Sequence, residues 1–193
     1  MSLFEHMNAF ARDTPWLHAP VVAFAKYGIV LFAGLLLLSW WQARRRRERG
    51  VIVAALWAPL GALLAIGLNQ PLSTLVDRPR PFTVFPHALV LVTRSTDPTF
   101  PSDHAVMAGA VTAGVLLANR RLGLVTAALA VMMAFARVYV GAHFPADVVA
   151  GLLFGALVSC AGYLVARRPL AWITSALAGT PLRPLLVSAG SDA

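Results

Sequence analysis

The chain has 193 residues, 59% of them hydrophobic and only 12% charged, yet its formal net charge is +8. With a mean hydropathy of +0.72 this balance excludes a soluble domain, and the apolar stretches leave no length for a separate soluble module. The basic residues sit in short loops without interleaved stacking aromatics, which argues against a nucleic-acid partner. The expected fold class is all-α: a polytopic membrane helix bundle of about five transmembrane helices plus an N-terminal interfacial helix.

Residues 1–19 place Leu3, Phe4, Met7, Phe10 and Ala11 at helical spacing among Glu5, Asn8, Arg12 and Asp13, too polar a mixture to span and suited to the membrane interface. Residues 20–41 form the first span, closed by Trp40 and Trp41 at a basic loop. Residues 51–75 form the second, where Pro59, Asn69 and Pro71 predict irregular backbone inside the bundle. Residues 83–100 read as a loop that dips toward the interface through the short apolar patch 88–92. The third, fourth and fifth spans are expected over 102–118, 122–140 and 145–166. The lone Cys160 falls in the fifth, where buried packing is its expected role. Residues 169–193, cut by Pro181 and Pro184, predict a cytoplasmic or interfacial tail rather than a sixth span. The whole is expected to be one integral-membrane domain over 1–193, with 20–168 as the working bundle.

Every second loop is basic: Arg44 to Arg47 with Arg49, then Arg120 and Arg121, then Arg167 and Arg168. By the positive-inside rule these loops face the cytoplasm, and the N-terminus and the two other loops lie outside. Three polar clusters then converge on the outer face. Arg78-Pro79-Arg80-Pro81 follows span two, Pro101-Ser102-Asp103-His104 opens span three, and Arg137, His143 and Asp147 bridge spans four and five.

Those residue types fit phosphate transfer. Guanidinium forks at Arg78 and Arg80 match phosphate oxygens, and a helix start at Ser102 offers free N–H groups to an anion. His104, in that first turn, is placed to protonate a leaving oxygen. His143 and Asp147, four apart around Pro145, can pair so that the carboxylate fixes the imidazole tautomer and leaves the other ring nitrogen free to attack. An arginine on an apolar span is costly unless it faces the bundle interior, which places Arg137 there, as a phosphate ligand or in an ion pair.

These motifs, from Ser73 to Asp147, resemble the type 2 phosphatidic acid phosphatase superfamily, whose signature is Lys-x6-Arg-Pro, Pro-Ser-Gly-His and Ser-Arg-x5-His-x3-Asp. The resemblance implies that His143 forms a phosphohistidine, that His104 protonates the departing group and that Asp147 supports His143. It also implies that Arg80, Ser102 and Arg137 bind phosphate, with Arg78 and Asp103 beside them, and that neither metal nor cofactor takes part. Asp103 and the stretch from Arg137 to Asp147 look most like the bacitracin-resistance branch, the undecaprenyl pyrophosphate phosphatases. The implied substrate is a polyprenyl diphosphate, with membrane lipids as surroundings, no nucleic acid and no obligate protein partner.

Alternatives are another lipid phosphate, such as phosphatidylglycerol phosphate or phosphatidic acid, and a catalytically silent lipid-binding protein. Ser73, Asp103 and Ala136 depart from the signature's lysine, glycine and serine. Lys26, Arg94 and Arg78 are the cations available to replace the lysine, and His87 is a further outer-loop histidine.

Overall fold

The computed structural model describes residues 2–46, 48–181 and 183–186. Arg47 of the first basic loop and residues 187–193 of the expected tail therefore lie outside the described residues. Among the described residues seven α-helices run in chain order: α1 (Leu3–Asp13), α2 (His18–Arg46), α3 (Arg49–Val76), α4 (Pro81–Val84), α5 (Asp103–Ala118), α6 (Arg120–Tyr139) and α7 (Pro145–Leu177). The segments containing α2, α3, α6 and α7 are long and apolar enough to cross a membrane, and α5 is a shorter apolar helix. The expected five-span bundle with an N-terminal helix is what the chain forms.

Helix α5 is the axis. At 16 residues it falls short of the ~20 needed to cross hydrocarbon alone, but it packs against α3, α6 and α7, so most of its surface meets protein. Small residues make this possible. A β-carbon at Gly109 would overlap the Leu152 carbonyl, and one at Gly155 the Val106 carbonyl, so α5 and α7 touch backbone to backbone. Around them Phe32, Val106, Val111, Val115 and Met133 form the buried centre.

Two helices and one side chain differ from expectation. Helix α3 runs unbroken through Pro59 and Pro71, because in an apolar bundle leaving the helix would strand more backbone groups than a proline does. Helix α7 likewise continues through Pro169 to Leu177. Beyond it the chain folds back, with Leu186 packed near Ala43 and Ile52 and the Leu185 carbonyl accepting from Trp40 Nε1 at 3.0 Å. No sixth long helix occurs among the described residues. Cys160 is exposed on α7 rather than buried, so it does not contribute to the core.

The end of the bundle away from Arg44–Arg46 is closed by α1 and the loop 85–102. Ser2 and Glu5 form a capping box that starts α1. Asn8 then clamps the loop, donating to the Leu89 carbonyl at 2.8 Å and accepting from Leu89 N at 3.0 Å. The patch around Leu89, Leu91 and Val92 packs on Ala11, Tyr139 and Val140. Gly141 has φ of +76°, and a β-carbon there would strike the Leu89 carbonyl, so only glycine fits both demands.

Candidate phosphate-transfer site

Four helix ends meet at the end of the bundle that α1 covers. Asp77, in the left-handed conformation at φ 44°, stops α3 and turns the chain into Arg78. Ser102 precedes α5, the chain leaves α6 after Tyr139, and Pro145 opens α7. A cavity of about 230 Å³ lies between them, lined by Arg80, Asp103, His104, Arg137 and His143 with Phe82 and Asp97 among its walls. Five of the eight expected site residues therefore face one space.

His143 is 3% exposed and its two ring nitrogens have different surroundings. Nδ1 lies 2.9 Å from the Thr99 carbonyl oxygen, which can only accept, so Nδ1 carries the proton. Nε2 is then the lone-pair nitrogen, and Arg137 Nη2 approaches it at 3.4 Å. Burial first, then the charges of Arg137 and Arg80, holds the imidazole well below its ordinary value of 6.5. It is neutral, as an attacking nitrogen must be.

Asp147 is fully buried at the base of α7, and its carboxylate collects three donors. Arg78 Nη1 gives 2.7 Å to Oδ1, while Oδ2 accepts from Thr99 Oγ1 at 2.7 Å and Phe144 N at 2.8 Å. The expected contact with His143 is longer than a hydrogen bond, with Nδ1 3.9 Å from Oδ2. Thr99 stands between them. Its only trace in the sequence is its place two residues before Pro101.

Arg80 is fixed by two carbonyls, donating from Nε to Asp97 O at 2.9 Å and from Nη1 to Ala142 O at 3.2 Å. Arg137 keeps a buried Nε with no hydrogen-bond partner, and so does the Ser102 hydroxyl. Ser102 occupies the N-cap position of α5, but its side chain makes no capping bond. Both are groups that a bound oxyanion would satisfy. Asp103 Oδ1 accepts from Asn69 Nδ2 at 2.7 Å and Gln70 Nε2 at 3.1 Å, so α3 aims the carboxylate. Buried Asn69, expected to disturb α3, instead ties it to the start of α5.

Of the expected phosphate-binding set, Ser102 and Arg78 lie outside the residues lining this cavity; Arg78 is paired to Asp147 and stacked 4.5 Å over the Phe144 ring, because the buried carboxylate needs a cation. Of the cations available to replace the lysine, neither Lys26 nor Arg94 lines the cavity. Lys26 is exposed on α2 over the Tyr27 ring, and exposed Arg94 lies over Phe82 without lining the cavity. His87 borders a separate groove beneath α1, its carbonyl bonded by Arg12.

The bundle and its end-cavity suit a membrane phosphatase, and comparison with known proteins shows the family. Residues 54–170 match the PAP2 superfamily. The chain belongs to that superfamily. Undecaprenyl-diphosphatase BcrC of Bacillus subtilis (strain 168) is 26% identical over 166 residues, covering 86% of this chain and 81% of the relative. An undecaprenyl-diphosphatase of Sulfolobus acidocaldarius is 31% identical over 163 residues, covering 81% and 66%. The fold resembles the crystal structure of a transmembrane PAP2 type phosphatidylglycerolphosphate phosphatase from Bacillus subtilis, with a TM-score of 0.61 at 20% identity over 85% of this chain and 86% of that one.

Proposed function

We propose that the protein hydrolyses a polyprenyl diphosphate, undecaprenyl diphosphate in particular, to the lipid monophosphate and inorganic phosphate on the extracytoplasmic face of the membrane. The observation that carries this reading is the pair of roles at His143: Nδ1 tied down behind, and Nε2, met by Arg137 Nη2 at 3.4 Å, beside a cavity that also holds Arg80 and His104. Nε2 attacks the terminal phosphorus, the bond to the bridging oxygen breaks, and His104 supplies the proton that the departing lipid phosphate takes. Water then attacks the phosphohistidine, His104 accepts its proton, and inorganic phosphate leaves.

Arg80, Arg137 and Ser102 hold the oxygens of the transferring group, and the charge of the two arginines opposes the negative charge gathered there. Asp103 faces the same space as a fixed carboxylate, and Asp147 steadies the imidazolium that forms. The polyprenyl substrate is supported by the names of the relatives, two of which are undecaprenyl-diphosphatases at modest identity. The outer location is supported by charge: Arg44, Arg45, Arg46, Arg120, Arg121, Arg167 and Arg168 gather away from the end that holds the cavity. The catalytic unit is the bundle 20–168, with α1 as its outer clamp.

Phosphate release in detergent tests the reading, with undecaprenyl diphosphate, phosphatidylglycerol phosphate and phosphatidic acid offered separately and in competition. The diphosphate is expected to win on kcat/KM, and His143→Ala and His104→Ala to lose turnover. Preference for either phospholipid overturns the substrate. No release from any of the three by well-folded protein leaves a lipid-binding protein.

A further inference from the structure

The Nδ1 edge of His143 meets two atoms of a single residue. The Thr99 carbonyl oxygen lies 2.9 Å away and Thr99 Oγ1 3.1 Å away, while Oγ1 donates onward to Asp147 Oδ2 at 2.7 Å. Thr99 is wholly buried and comes from the outer loop, not from the segment that carries His143 and Asp147. Its own N–H donates to the Arg78 carbonyl at 2.9 Å, and the Arg78 guanidinium holds the other oxygen of Asp147. One short loop segment thus grips both the histidine and the carboxylate behind it.

We propose that Thr99 is the positioning residue through which Asp147 acts on His143, an inference that rests on the phosphohistidine reading above. The single hydroxyl proton goes to the carboxylate, the stronger and closer acceptor, which turns an Oγ1 lone pair toward Nδ1–H. Nδ1–H is then shared between the Thr99 carbonyl and hydroxyl. As Nε2 bonds to phosphorus, positive charge spreads through the ring and Nδ1–H becomes a stronger donor. The polarised hydroxyl answers that charge with no proton changing hands, so the carboxylate need not touch the ring.

The test is phosphate release from a short-chain prenyl diphosphate by wild type, Thr99→Val, Thr99→Ser, Asp147→Asn and the Thr99→Val/Asp147→Asn double variant. Outer partners that orient a metal-ligating histidine typically cost 10- to 100-fold when removed, and by analogy Thr99→Val is expected to lower kcat by about that factor with KM changed less than about threefold. Thr99→Ser should recover kcat to within about threefold of wild type. The double variant should lose little beyond the worse single, because both changes cut one path. Should the valine variant not fold, Thr99→Ala against Thr99→Ser makes the same comparison. An unchanged kcat in Thr99→Val, a serine variant no better than valine, or additive losses each overturn the role of Thr99 alone. Wild type inactive on every lipid phosphate overturns the functional reading and this inference with it.

Discussion

At the scale of single residues, the arrangement rests on a histidine kept neutral by burial and a buried carboxylate held by three donors. Burial lowers the His143 pKa in the folded state, so below about pH 6.5 the unfolded chain takes up a proton that the folded protein refuses. Stability therefore rises with pH through that window and is lost as pH falls from the ordinary value toward the depressed one. Melting of the detergent-solubilised protein should fall below about pH 6.5 in wild type and fall less steeply in His143→Gln. Equal slopes would mean that His143 is not the group resisting protonation.

The two arginines of the Arg-Pro-Arg-Pro string should also separate. Arg80→Gln removes a cation from the cavity wall and should raise KM on the order of tenfold. Arg78→Gln leaves Asp147 short of its counter-charge. Because the Arg78 side chain is 38% exposed, the stability loss should be only about 1 kcal/mol, accompanied by a fall in kcat. Their division of labour was not legible in the sequence. Arg80 has φ −70° and ψ 154°, close to the polyproline conformation, in which side chains two apart do not share a face. Thr99 was hidden for a different reason: it lies 44 residues from His143 and 48 from Asp147, and no local spacing joins them.

Among the elements, the α5–α7 contact sets the site, because His104 and Asp147 sit in the first turns of these two helices and the Ser102 N–H bonds the Asp147 carbonyl at 3.2 Å. Gly109 and Gly155 keep the axes close. Gly155→Val forces a side chain into the Val106 carbonyl, and overpacking of this kind costs typically 1–3 kcal/mol. Thermal melting should fall and activity with it, whereas Gly34→Val, where a β-carbon meets open space, should leave both unchanged. Hydropathy sufficed to find the four long apolar helices and the shorter α5. It failed at Pro59, Pro71 and Pro169, because a rule learned from water overstates what proline does where no solvent competes for the freed carbonyls.

For the molecule as a whole, convergence of the three motifs on one end was readable from topology alone, since alternate loops fall on alternate faces. The clamp of α1 over the loop was not, because it depends on Asn8 pairing with backbone 81 residues away. Cysteines placed at Arg46 and Thr96 should label from opposite sides, Thr96→Cys from outside and Arg46→Cys only after the membrane is opened. Labelling of Arg46→Cys from outside would invert the orientation.

The central claim is that His143 carries the phosphoryl group. Rapid quenching of the enzyme with undecaprenyl diphosphate labelled in its terminal phosphate, followed by peptide mapping, tests it most directly. The account predicts an acid-labile, base-stable label on His143 in wild type that does not form in His143→Ala. Phosphate release without any labelled enzyme, or label persisting in His143→Ala, would contradict it.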